Sequence, residues 1–104
     1  MVNRFSRDGL YFLDEPEAAL SPQGQLALVR AIHDRVEEGC QFVIATHSPI
    51  LVAYPNAAIH ECGPDGLRPV SFDETPQVEL YRSFLNRPDM FLHHLLDDPP
   101  EPDV

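Results

Sequence analysis

Apolar and polar positions along this chain fall into blocks whose period changes several times. Leu10-Tyr11-Phe12-Leu13 is an unbroken apolar run that ends on Asp14-Glu15-Pro16. An uninterrupted run closed by proline predicts a strand buried on both faces, as in a parallel sheet. After the turn Glu17-Ala18-Ala19-Leu20, Ser21-Pro22 predicts a helix start, with serine at the N-cap and proline at the first helical position. Over Pro22–Glu38 the residues Leu26, Val29, Ile32 and Val36 make one apolar stripe, with Gln25, Arg30, Asp34 and Glu37 on the other face. Gly39 supplies the stop. Gln41–Ala45 is again apolar and β-branched and runs into Thr46-His47-Ser48. Strand, helix, strand predicts a right-handed βαβ unit with parallel strands. Asp14-Glu15 and Thr46-His47 are therefore expected at one edge of the sheet, where open α/β folds place their ligands.

Beyond this unit the elements shorten. Ser48-Pro49 predicts a short helix to Ala53, and Ala57–Cys62 with Leu67–Phe72 predicts a hairpin around the turn Gly63-Pro64-Asp65-Gly66. Pro69 marks the second of those strands as an edge. Thr75-Pro76 opens a helix to about Leu85, Asn86-Arg87-Pro88 breaks it, and Pro88–Leu96 forms another. Leu80, Phe84, Phe91, Leu92 and Leu95 are expected as core contacts. Met1–Asp8 reads as the last turns of a helix with Gly9 as its C′ residue. Residues 97–104 read as a disordered acidic tail. The expectation is one α/β lobe over residues 1–96, with a parallel βαβ core, a C-terminal β-hairpin and two short helices.

Composition narrows the class. The 104 residues suit a single domain, and an apolar content of 43% suffices for a core. The net charge is −10, and all 7 basic residues are arginine. That balance argues against direct nucleic-acid binding, which needs a basic face. Cys40 and Cys62 fit no metal spacing and are expected as buried free thiols. No apolar run approaches the roughly 20 residues that span a bilayer, and the polar start is no signal peptide. A soluble, cytoplasmic protein without membrane insertion is the expectation. His93 and His94 are neighbours on a helix and point about 100° apart, so they do not chelate together. His33 and His60 have no metal-binding partners at useful spacing.

The chemistry concentrates behind the two buried strands. One carboxylate at the end of Leu10–Leu13 can hold a magnesium ion and the next can polarise a water, with a histidine delivered by the neighbouring strand. In that order and spacing the residues resemble the C-terminal half of an ABC-type ATPase, from the soluble, AAA-labelled branch that includes SMC-like proteins. LYFLDEP resembles its Walker B motif, Glu17–Ser21 its D-loop, and Ala45-Thr46-His47-Ser48 its H-loop. The ending, Leu85-Asn86-Arg87-Pro88 through Phe91–Leu96, is also similar to the close of small bacterial proteins of this group. The resemblance implies a partial P-loop NTPase three-layer fold that binds and hydrolyses ATP with Mg²⁺. It implies Asp14 as the Mg²⁺ residue, Glu15 as the group that orients or deprotonates the attacking water, and His47 as the γ-phosphate contact. Ser21, with Ala18–Leu20, would face the second subunit of an ATP-sandwich dimer. Transporter ATPases of the family usually carry aspartate where Ser21 stands, which speaks against a transporter.

The chain also departs from the family. A Walker A loop, G-x-x-x-x-G-K-[ST], requires a lysine, and the sequence has none. An LSGGQ-like signature is likewise missing. Both are expected upstream of Met1, in an N-terminal half supplied separately, and this chain alone is expected to bind ATP poorly. Without the Walker A strand, Gln41–Ala45 either presents an apolar edge or pairs directly with Ala57–Cys62, and association or aggregation is expected. Two other readings stay open. One is a non-catalytic lobe that docks on an intact ATPase and regulates it. The other is a metal-dependent phosphoesterase using Asp14, Glu15, Glu17 and His47.

Overall fold

The computed structural model describes residues 9–97. The expectations for Met1–Asp8 and for residues 98–104 lie outside the described residues. The elements are β1 (Leu10–Asp14), α1 (Pro22–Glu37), β2 (Gln41–Ala45), β3 (Ile59–Gly63), β4 (Gly66–Val70), α2 (Pro76–Asn86) and α3 (Pro88–Asp97), with single 3₁₀ turns at Leu51–Ala53 and Phe72–Glu74. This is a small α/β fold with two two-stranded sheets and three helices among the described residues, consistent with a general P-loop NTPase-like architecture. Asp97, expected in the tail, is the last residue of α3.

Local chemistry explains most boundaries. The Ser21 hydroxyl accepts a hydrogen bond from the Gly24 amide at 3.0 Å, and Pro22 fills the first helical position, so α1 starts where the sequence predicts. Its end falls at Glu37, one residue early, because Glu38 caps it and Gly39 takes φ 97°, a left-handed value open to glycine. The short helix expected over Pro49–Ala53 is a 3₁₀ turn starting at Leu51, with the Ser48 hydroxyl accepting from the Ile50 and Leu51 amides at 3.1 and 3.2 Å. The hairpin starts and ends about two residues later and earlier than expected. Pro64 and Asp65 form its tip, Gly66 takes φ 105°, and Phe72 leaves the strand for a 3₁₀ turn closed by the Ser71–Glu74 capping box.

The βαβ unit forms as the sequence predicts. β1 and β2 pair in parallel, from Leu10 opposite Gln41 to Asp14 opposite Ala45, and α1 packs against β2. Tyr11 and Phe42 share the covered face, with ring centroids 5.6 Å apart. The expectation of burial on both faces is corrected. Burial alternates along the strands, leaving Phe12 68% and Val43 51% exposed on the face away from the core. A single helix can cover only one face of a two-stranded sheet, so the described residues supply two of the three layers expected. β2 does not pair with the 57–62 segment; β3 pairs antiparallel with β4 in a separate sheet.

Among the described residues, the buried apolar side chains are Tyr11, Ile32, Cys40, Leu51 and Val78. Several expected core positions lie at the surface instead. Leu26 is 57% exposed, and the inner side of α1 runs instead through Gln25, Leu28, Val29, Ile32 and Val36. Leu80, Leu92 and Leu95 are exposed, while Phe84 and Phe91 meet edge-to-face at 5.6 Å and join α2 to α3. Cys62 is exposed rather than buried; Cys40 is buried as expected.

Candidate functional site

The carboxyl ends of β1 and β2 form the site. The ladder runs one step beyond β1, since the Glu15 amide donates to the Ala45 carbonyl at 2.7 Å. Glu15 then takes φ 47°, a left-handed conformation that costs a residue with a Cβ about 1–2 kcal/mol. Pro16 follows, and the chain folds back through two tight turns, Ala18 N–H to the Glu15 carbonyl (3.1 Å) and Leu20 N–H to the Glu17 carbonyl (2.9 Å). Strain of this kind at the end of a strand re-aims side chains, and such positions cluster at functional sites.

Three of the four candidate residues meet here. Asp14 ends β1 beside Ala45, and Glu15 and His47 approach across the two strand ends. His47 Nδ1 and Glu15 Oε2 lie 3.9 Å apart, within ion-pair range and longer than a hydrogen bond. Both side chains face solvent, at 84% and 55% exposure. Ser21, the fourth, sits on the exposed start of α1, where its hydroxyl caps the helix.

Glu17 holds a place that its sequence position did not announce. One of its carboxylate oxygens accepts from the Thr46 hydroxyl at 2.6 Å, the other from the His47 amide at 3.1 Å. Burial pushes its carboxyl pKa up, but the Thr46 hydroxyl, the His47 amide, its own amide and the His47 imidazole together hold it below the usual value. The Thr46 oxygen in turn accepts from the Ser48 amide at 3.0 Å. Ser48, buried, donates its hydroxyl to the Gln25 side-chain amide oxygen on α1. Gln25, expected on the outer face of α1, thus anchors the loop after β2. A polar residue inside an otherwise apolar helix stripe is the signal that could have found it.

These bonds weigh against one expected site. A metal centre built from Asp14, Glu15, Glu17 and His47 would need the Glu17 oxygens, and both already accept from the 46–48 loop. Among the described residues no group of three or more His, Cys, Asp or Glu side chains could hold a metal ion. The fit to Mg²⁺ with a nucleotide is different. Magnesium in such sites takes one or two protein carboxylates and completes its shell with phosphate oxygens and water. Asp14, exposed at a strand end, matches that single-carboxylate role in type. No described helix is long and apolar enough to cross a membrane.

The family described as "AAA domain, putative AbiEii toxin, Type IV TA system" matches residues 4–53. No curated protein and no solved structure matches the chain. The matched stretch takes in β1, α1, β2 and the loop that carries His47, and it ends at the 3₁₀ turn. The family match and the fold point to the same stretch: the βαβ unit that brings Asp14, Glu15 and His47 together lies within the residues similar to this AAA-domain family.

Proposed function

We propose that the chain is the hydrolytic lobe of an ABC-type ATPase of the soluble, SMC-like branch. In this reading it acts on ATP and Mg²⁺ held mainly by a Walker A-bearing segment elsewhere, within an ATP-sandwich dimer. The observation that carries the reading is the parallel pairing of β1 with β2. It sets an acid pair and a histidine from separate strands at one sheet edge, with Glu15 and His47 3.9 Å apart.

Each side chain has a distinct part in that reading. Asp14 would hold the Mg²⁺ through water. Glu15, half exposed at the strand end, would orient the attacking water and take its proton. His47 donates a hydrogen bond to the terminal phosphate and steadies the in-line geometry. Ser21 and the exposed turn before it face the other nucleotide-bearing subunit. Bound Mg²⁺ supplies neutralisation of phosphate charge, which with positioning makes up most of phosphoryl-transfer catalysis.

The test is complementation. Mixed with a Walker A-bearing half, the chain is expected to give ATP hydrolysis. Glu15→Gln and His47→Ala should each lower kcat by roughly 10²–10⁴-fold. Complete absence of stimulation, with association between the two polypeptides shown, would refute hydrolysis. It would favour the second reading, a regulatory lobe that docks on an intact ATPase. That reading draws support from the open apolar face of the β1–β2 sheet.

A further inference from the structure

We infer that Glu17 is a positioning residue, a carboxylate latch that fixes the His47 loop against the end of β1. The inference rests on the reading that His47 acts at this site. The 46–48 loop is held from two sides. Glu17, from the turn after β1, takes the Thr46 hydroxyl and the His47 amide with separate oxygens. Gln25, from α1, takes the Ser48 hydroxyl. Backbone and small polar side chains are thereby tied down, yet the His47 ring stays 84% exposed. Here the backbone is fixed and the imidazole is presented.

Charge and geometry suit the latch to a carboxylate. The two donors need two acceptors about one carboxylate apart, and an ionised carboxylate is acceptor-only on both oxygens. Glutamine can keep both contacts only by turning its amide N–H₂ onto the second lone pair of the Thr46 oxygen, with loss of the charge, whereas alanine removes both. Thr46 is equally constrained, because its oxygen donates to Glu17 while accepting from the Ser48 amide. A serine there can do the same and a valine cannot. The latch also links the acid-bearing turn to the histidine-bearing loop, so a shift in the turn between β1 and α1 moves His47 with it.

Amide hydrogen exchange on the full chain, followed by NMR, tests this. In Glu17→Ala the protection of the His47 amide should fall roughly 10- to 100-fold, the range for a lost hydrogen bond to a charged group, with the β1–β2 ladder amides unchanged. Thr46→Val should lower it in the same direction and Thr46→Ser should retain it. Unchanged His47 protection in Glu17→Ala, or Thr46→Val behaving as Thr46→Ser, would overturn the latch. If Glu17→Ala also loosens the ladder, the Thr46 pair decides by the same criterion. In the complementation assay Glu17→Ala should lower kcat with little change in KM, and an equal rise in KM instead would count against positioning. Loss of His47 protection in a chain that never supports hydrolysis would leave the latch standing and remove the ATPase reading.

Discussion

Replacing Glu15 with glycine should stabilise the fold while removing the acid that the proposed chemistry needs. Glu15 sits at φ 47°, a region that costs an L-residue about 1–2 kcal/mol and glycine almost nothing. Glycine gives back part of that gain, because its unfolded chain is freer by about 0.4–1 kcal/mol. The lost contact with His47 is small, about 0.5 kcal/mol at most, since both side chains are largely exposed. At mid-range values the net expectation is a gain of roughly 0.5 kcal/mol, or about 2–4 °C in Tm for a domain of this size. Urea unfolding followed by circular dichroism, at constant m-value, measures it. Glu15→Gln is the control: it removes the charge and keeps the strained backbone, so its stability should match the parent within about 0.3 kcal/mol. In the complementation assay both variants should lower kcat by roughly 10²–10⁴-fold. A Glu15→Gly chain less stable than the parent, or a Glu15→Gln chain equally stabilised, would show that backbone strain at this strand end is not the cause.

Three further outcomes follow from the structure. The Glu17 carboxyl titrates below its unfolded value of about 4.5, so its contribution to stability is present above that pH and is lost as pH falls through the lower folded value. Urea midpoints taken from neutral pH into that acid range should fall less steeply for Glu17→Gln than for the parent, and parallel curves would contradict the bonds to Thr46 and His47. Ile32→Ala, at a buried position, should cost about 2–5 kcal/mol, whereas Leu26→Ala at 57% exposure should stay within about 0.5 kcal/mol; similar losses would restore the stripe that the sequence alone suggests. Phe12→Thr with Val43→Thr keeps β-branched or strand-tolerant residues on the open sheet face and should reduce self-association seen by sedimentation velocity, with an unchanged distribution counting against that face as the cause.

Local signals were legible and long-range cover was not. β2 occupies the residues that its apolar run marks, and the Ser21-Pro22 start of α1 is realised as a capped N-terminus. Those features depend on near neighbours in the chain. The parallel pairing was legible too, because a strand, one helix and a strand leave few alternatives. Which side of β1 faces water was not. That depends on how many layers surround the sheet, and an apolar run reads the same whether its second face is covered or open. Leu26 and Gln25 show the same limit on α1. Hydropathy puts Leu26 inward, but Gln25 is needed inside to take the Ser48 hydroxyl from the loop after β2. Glu17, in sequence a turn acid and a candidate phosphoesterase ligand, is instead tied to two donors that the fold brings from the neighbouring strand end to its carboxylate.

The open face and the candidate site are consequences of the same two strands. β1 and β2 carry apolar side chains on both faces, and Phe12 and Val43 remain more than half exposed. Covering a side chain of that kind contributes about 1.5–3 kcal/mol when burial is complete. Even partial cover of these two is therefore large beside the 5–15 kcal/mol that separates a typical folded domain from its unfolded chain. Anything that covers this face binds the folded strands and not the unfolded chain, so it stabilises the pairing of β1 with β2 by mass action. That pairing is also what sets Glu15 beside His47, through the Glu15 amide bonded to the Ala45 carbonyl at the last rung. In the proposed function, association and the geometry of the hydrolytic edge are therefore coupled through one parallel ladder. A weaker ladder should loosen both, and the order of the site should rise with occupancy of the open face.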